Sequence, residues 1–304
     1  MIKTFARWYD SDLAYSFRRS PVVVVAAIVA AVMILSAVFA PLVAPFNPFD
    51  PASLKLMDAQ TPPAWVEGGM GKYLLGTDDQ GRDLLSTILY GSRVSLFVGF
   101  AAIGFAAVFG TLIGVLCGYR GGWLDTVVMR AADVQLTIPS ILIALTIDGI
   151  GRAALPRELH GEIALFVLVF AIGVAEWPHF ARVARSAAMV ERNKDYVAAA
   201  KVIGRAPWSI VWRHVLPNTL GPVLVLATVG LALAILSEAT LSFLGVGVPP
   251  TQPSLGTLIR VGQSFLFSGE WWTVFFPALT LVLLVLAVNV LGDWLRDALN
   301  PKLQ

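Results

Sequence analysis

Pro21–Ala40 runs for about twenty residues without a charge, the length of an α-helix that spans the hydrocarbon of a bilayer. Few sequence features restrict a fold so strongly. In lipid every backbone amide and carbonyl needs a partner within the protein, so only helices and closed barrels cross. Five further runs follow, at about 94–117, 127–149, 162–180, 219–245 and 273–291. The expected fold class is therefore all-α, a polytopic membrane protein with six transmembrane helices. Composition agrees: 14% of the residues are charged and 57% hydrophobic, where soluble domains carry about 25% charged residues.

In residues 1–20, Phe5, Trp8, Tyr9, Leu13 and Phe17 fall near one helical face, with Lys3, Arg7, Arg18 and Arg19 nearby. This pattern predicts an interfacial helix on the cytoplasmic leaflet. The leader is long and aromatic and the apolar run after it is long enough to span, which argues against a cleaved signal peptide. Lysine and arginine set sidedness. The 182–217 segment carries Arg182, Arg185, Arg192, Lys194, Lys201, Arg205 and Arg213 against Glu191 and Asp195, which places it and both termini in the cytoplasm. The expected division is a cytoplasmic interfacial helix at 1–20, a first span at 21–40 and an extracytoplasmic segment at 41–93. A five-helix core at 94–291 follows, including the cytoplasmic 182–217 loop, and then a cytoplasmic tail at 292–304. A net charge of +2 gives no nucleic-acid footprint. The one cysteine, Cys117, lies in an apolar run and reads as a core residue.

Two short helices are predicted within Tyr196–Pro217. The first follows Asp195, a favourable N-cap, and stops at Gly204, which suits a left-handed terminal position. The second starts at Pro207 and ends near Pro217. Trp208, Val211, Trp212 and Val215 form one helical stripe. Ala198, Ala199 and Ala200 make the first helix narrow. Together these elements predict a compact plug for a groove on a partner.

Polar residues in or beside the spans are the other candidates, because charge in a bilayer is costly. Asp133 and Gln135 precede Pro139 in the third span, Asp148 lies near its outer end and Glu176 near the inner end of the fourth. Glu238 lies one turn before Ser242 in the fifth. One reading makes Asp133, Gln135, Glu238 and Ser242 a translocation path. The other is local pairing, of Asp133 with Arg130 or with a neighbouring helix. Pro139, Pro178 and Pro222 are expected to kink spans, and Gly99, Gly104, Gly110 and Gly114 to pack helices closely. Outside the membrane, Thr77 or Asp78 is expected to cap a helix. Asp78 and Asp79 are paired, but with no histidine or third fixed ligand nearby no metal site is assigned.

The 196–217 loop resembles the EAA loop of binding-protein-dependent ABC importers. Ala199, Ala200, Gly204, Leu216 and Pro217 fall in that family's register. Ala198 stands where the family has Glu, and His214 where it has an apolar residue. Leu74-Leu-Gly-Thr-Asp-Asp-Gln-Gly-Arg-Asp-Leu-Leu85 with Tyr90-Gly-Ser-Arg-Val-Ser-Leu96 resembles the C-type permease subunit of dipeptide and oligopeptide importers. Leu236–Pro250 and Asn289–Leu303 match the same subunit, although Leu255 replaces its usual Trp. Pro62-Pro-Ala-Trp65 with Glu67-Gly-Gly69 points toward the dipeptide branch.

That resemblance implies the type I ABC importer permease (MetI-like) fold and a permease subunit that imports di- or oligopeptides across the bacterial inner membrane. Its implied partners are a second homologous permease, two ATPase subunits, an extracytoplasmic solute-binding protein and membrane lipid. ATP and Mg would be bound by the ATPases, with no cofactor on this chain. Tyr196, Ala198, Ala199, Ala200, Gly204, Trp208, Leu216 and Pro217 would couple to the ATPase, and Asp78, Asp79 and Arg82 would meet the binding protein. A nickel-chelate or other small-solute importer of the same family is the alternative. A stand-alone secondary transporter would show an internal repeat of spans, and none is found. A membrane hydrolase would need a histidine at depth, yet His160, His179 and His214 are expected in or beside loops. No His-Glu-x-x-His and no phosphate-cradling Gly-x-x-x-x-Gly-Lys-Ser/Thr occurs.

Overall fold

The computed structural model describes residues 12–50, 54–154, 156, 160–249 and 251–298. The described chain is helical: α1 Asp12–Arg19, α2 Pro21–Val38, α3 Leu84–Arg120, α4 Gly122–Leu136, α5 Ser140–Ala154, α6 His160–Glu191, α7 Asp195–Val202, α8 Pro207–Ile210, α9 Leu216–Phe243, α10 Leu255–Gln263 and α11 Trp272–Ala298. Of the expected interfacial helix, α1 is present, while Lys3, Phe5, Arg7, Trp8 and Tyr9 lie outside the described residues. Residues 299–304 of the expected tail do too, and α11 occupies 292–298.

Among the described residues, five helical stretches are long and apolar enough to cross a membrane. The third expected span is not one straight helix. It is broken into α4 and α5, which meet at 96°. Pro139 explains the break: it has no amide hydrogen, and it disfavours a helical conformation at the residue before it.

The packing of α3 on α6 makes this bent pair a single crossing. A Cβ at Gly110 would lie 2.5 Å from the Trp177 carbonyl oxygen, and one at Gly118 would lie 2.5 Å from that of Arg185; Gly114 faces Ala181 between them. Contact positions on the two helices rise together, so α3 and α6 run parallel. Parallel neighbours need a return crossing between them, and among the described residues α4 and α5 are the helices there to make it. Phe17 meets Trp294 edge-on at 5.2 Å, which brings the start of the first span beside the end of the last. Six crossings satisfy both contacts.

Gly110, Gly114 and Gly118, four apart, let the backbones of α3 and α6 touch, the small-residue solution to packing in lipid. The second apolar run is expected to end at about 117, but α3 continues past Gly118 to Arg120. Gly104 meets nothing. Around this seam Val98, Ala102, Leu168, Ile172, Phe180 and Leu241 form the main core. Leu84, Ile88, Ile235, Leu255 and Leu284 form a second core that joins α3, α9, α10 and α11. The helix α2 stands at the edge, held to α11 through Ala26, Ala30 and Ala287.

The polar segment before α3 is a compact cap. Asp83 is the N-cap of α3 and accepts from the Ser86 amide at 2.8 Å; neither Thr77 nor Asp78 takes that position. Thr77 hydroxyl accepts from the Thr61 amide, and the Thr77 carbonyl accepts from Trp272 Nε1 at 3.2 Å, which ties the cap to the start of α11.

Candidate functional site

The loop between α6 and α9 is closed at its base by side chains. Glu191, at the end of α6 and 8% exposed, accepts from Lys194 Nζ at 2.6 Å and from the Tyr196 hydroxyl. Asn218 Nδ2 donates to the His214 carbonyl at 2.6 Å and to the Tyr196 oxygen at 3.3 Å. Burial and the neighbouring Glu191 carboxylate push the Tyr196 phenol up to about 12. The end of α6, the start of α7 and the start of α9 thus form one joint.

Along the loop, Asp195 lies in the first turn of α7, and Lys194 is the N-cap residue. Val197 and Ala200 are buried, while Ala198 and Ala199 face outward. The helix ends as expected at Gly204, with φ +78°. The Arg205 amide donates back to Ala200 at 3.1 Å and the Gly204 amide to Lys201 at 3.0 Å, a left-handed helix termination. The expected stripe divides: Val211 and Val215 are buried, whereas Trp208 and Trp212 are exposed and meet edge-on at 6.1 Å. Val202 and Ile203 join them in an exposed apolar tip.

The second short helix does not end near Pro217. It passes through a π-turn at Val211–Val215 and continues as α9, with the Leu216 amide bonded to the Val211 carbonyl. Pro217 falls in the first turn of α9, and the wider π-turn before it relieves the clash a proline ring makes with the preceding turn. The loop therefore feeds without a break into the fifth crossing.

The intramembrane candidates separate into two places. Asp133 pairs with Arg182 at 2.7 Å, half-exposed, rather than with Arg130. Gln135 Nε2 donates to the Val174 carbonyl at 2.7 Å, and Gln135 Oε1 accepts from Trp177 Nε1 at 3.0 Å. Both residues hold α4 against α6, as does the pair of Asp125 with Arg185. Glu238 is wholly buried in α9 and accepts from Ser242 Oγ at 2.7 Å. Close to it Ser254 caps α10, and Ser95 of α3 accepts from the Leu255 amide at 3.3 Å. The structure does not bring Asp133 and Gln135 together with Glu238 and Ser242. His179, expected at a loop, lies inside α6 with Glu176 at 3.9 Å. Asp148 is paired with Arg152, which also donates to the Gly247 carbonyl.

In the cap, Asp78 and Arg82 are 4% and 5% exposed. Arg82 Nε donates to Asp78 Oδ2 at 2.6 Å, and the Gln80 and Arg82 amides donate to Asp78 Oδ1 at 2.9 Å. This pair holds a tight loop together and presents no charge to the surface. Asp79 is partly buried, and its Oδ1 has no partner. Glu191, Arg192 and Asn218 are the functional candidates that sequence reasoning missed, because their partners are backbone carbonyls or residues in another element.

Six crossings, a cap on one side and a two-helix loop on the other that continues into a span define a multi-pass membrane protein. Residues 110–304 match the family described as binding-protein-dependent transport system inner membrane component. The chain belongs to that family. Residues 11–63 match the N-terminal transmembrane domain of oligopeptide transport permease C. The dipeptide transport system permease protein DppC of Haemophilus influenzae is 41% identical over 273 residues, 90% of this chain and 88% of that protein. The di/tripeptide transport system permease protein of Pseudomonas aeruginosa is 39% identical over 90% of this chain and 85% of its own length. The oligopeptide transport system permease protein OppC of Bacillus subtilis is 34% identical over 99% and 92%. The inward-facing MetNI methionine ABC transporter shares the fold, with a TM-score of 0.56 and 22% identity over 71% of this chain and 98% of that one.

Proposed function

We propose that this chain is the permease subunit of an ATP-driven importer of short peptides, with both termini and the 191–218 loop in the cytoplasm. The observation that carries the reading is the loop itself. An exposed apolar tip of Val202, Ile203, Trp208 and Trp212 stands on a base closed by Glu191, Tyr196 and Asn218. Exposed tryptophan with aliphatic neighbours is the composition of a docking surface, and the rigid base passes a push on the tip into α6 and α9. One ATPase would receive this tip and a second ATPase the tip of a homologous permease; ATP and Mg would be bound there. Closure of the ATPase pair would swing α6 and α9 and switch the pathway from inward- to outward-open. An extracytoplasmic binding protein would deliver substrate at the cap. The relatives named for dipeptide, di/tripeptide and oligopeptide transport support peptides as the cargo.

The test is co-expression of the tagged chain with its genomic neighbours and purification in mild detergent. Recovery of an ATPase and a second permease, with labelled dipeptide taken up into proteoliposomes, is the expected result. A chain that purifies alone under these conditions would sink the reading.

A further inference from the structure

The inner end of α3 is fastened to the loop by a residue that no motif marks. A helix leaves its last carbonyls without intrahelical donors. At the end of α3 the Cys117 carbonyl is taken by the Gly121 amide. Arg192, just past the end of α6, places Nη1 at 2.8 Å from the Gly118 carbonyl and 3.4 Å from that of Tyr119. A guanidinium there satisfies the free carbonyls and sits favourably at the negative end of the helix dipole. A second link lies alongside: Lys201 of α7 stands over the Tyr119 ring at 5.8 Å. The loop therefore holds α3 as well as the two helices it connects.

At its far end α3 is fastened to the cap. The Leu84 amide donates to the Gly76 carbonyl at 3.0 Å, Asp83 caps the first turn, and the Phe46 amide donates to Ser86 Oγ at 3.1 Å. Between the two ends α3 runs unbroken for 37 residues, about 55 Å at the standard rise. It contains no proline, whereas α6, α9 and α11 carry Pro178, Pro222 and Pro277 in their interiors. The glycine seam brings the backbones of α3 and α6 into direct contact along 110–118.

We propose that Arg192 is a positioning residue for coupling: it clamps the inner end of α3 to the loop, so that α3 acts as the strut carrying loop movement across the membrane to the cap. This rests on the reading of the loop as the ATPase contact. It adds a third helix to the moving body, and it gives a binding protein docked on the cap a direct mechanical route to the loop.

The test uses the complete complex in proteoliposomes and compares basal ATP hydrolysis with hydrolysis in the presence of saturating liganded binding protein. In Arg192→Gln, assembly and basal hydrolysis are expected to persist while stimulation falls on the order of tenfold, the scale of a lost charged hydrogen bond. Arg192→Lys should recover part of it, since an ammonium reaches one carbonyl without the planar fork. Val108→Pro breaks α3 at a position exposed on this chain, in the middle of the helix away from the loop and the cap, and it should also lose stimulation. Wild-type stimulation per assembled complex in both Arg192→Gln and Val108→Pro would overturn the strut. So would a stimulation loss in Arg192→Gln that merely tracks lower assembly yield and a lower Tm. A wild-type complex that binds no ATPase would instead remove the reading of the loop, and the strut with it.

Discussion

Gln135 Nε2 donates to the carbonyl of Val174 at 2.7 Å, and that carbonyl is the one Pro178 leaves without a helical donor. In an α-helix the amide of residue 178 would bond to residue 174, and proline has none. Inside a membrane the vacancy must be filled by protein. The other end of the same amide accepts from Trp177, so one side chain from α4 serves the stretch before the proline. Gln135→Leu should lower the thermal stability of the purified chain by about 1–3 kcal/mol, the cost of an orphaned buried carbonyl. Gln135→Leu with Pro178→Ala should recover most of that, because alanine restores the missing donor. Thermal unfolding in detergent checks both. A double variant no more stable than Gln135→Leu would show that Gln135 acts through something other than Val174.

Asp78 and Arg82 are buried together, so single and double substitutions should differ in size. Arg82→Leu leaves a carboxylate in the cap with only the Gln80 and Arg82 amides as donors, and the loss of one partner of a buried pair costs about 3–5 kcal/mol. Asp78→Leu with Arg82→Leu removes both charges and should be less damaging than Arg82→Leu alone. Limited proteolysis of residues 54–83 reports the effect locally. Equal protection of Arg82→Leu and wild type would mean that the pair contributes nothing to the cap.

Gly204 turns the loop at φ +78° with open space around its missing Cβ. A side chain there meets no neighbour, so the effect of substitution comes from the backbone. An L-residue in this region costs about 1–2 kcal/mol, and a β-branched one is the worst fit. Gly204→Val should therefore reorient the tip, abolishing substrate-stimulated ATP hydrolysis while complex assembly persists. Gly204→Asn, which tolerates the left-handed region, should retain most of the stimulation. If valine and asparagine behave alike, the turn conformation is not what coupling needs.

How far the sequence reaches depends on the range of the force involved. The number of crossings is legible because bilayer thickness sets the length of an apolar run. Helix ends are not, since a helix need not stop at the membrane surface: α3 begins at Leu84 because Asp83 caps it, and α6 continues to Glu191. Pro139 announces a break, but the 96° turn depends on which helix α4 then lies against. Gly204 is legible because positive φ has a residue signature. Pro217 misleads, because a proline reads as a stop unless the π-turn before it is known. Gln135 looks like a path residue when read alone. Its partner, 39 residues away, becomes predictable only when Pro178 is taken to imply an unsatisfied carbonyl at Val174. Asp78 and Arg82 look like surface charges until the loop folds back on itself.

The contact between the cap and α11 carries a pH dependence. Trp272 bonds to Thr77, and the carboxyls flanking this contact, Asp79 and Glu270, each keep a buried oxygen without a hydrogen-bond partner. Burial pushes the Asp79 carboxyl up, helped by the charge of Asp78 and opposed by Arg82. Burial also pushes Glu270 up, with the charge of Asp79 adding to it. A carboxyl raised in the folded state binds its proton more tightly there than in the unfolded chain. Its contribution is therefore fully present below the ordinary carboxylate range and is lost as pH rises through the raised value. Asp58 has the opposite sign: hydrogen bonds from Lys72 and Tyr73 hold it below its usual range, so its contribution disappears only in stronger acid. Hydrogen exchange at residues 74–85 and 264–274 should then be slower near about pH 4, the ordinary carboxylate range, than near about pH 7.5, after correction for the intrinsic exchange rate. Asp79→Asn and Glu270→Gln should each flatten that difference and protect the contact at neutral pH. Faster corrected exchange at the lower pH, or an undiminished slope in both variants, would show that these two carboxyls do not govern how the cap sits on α11.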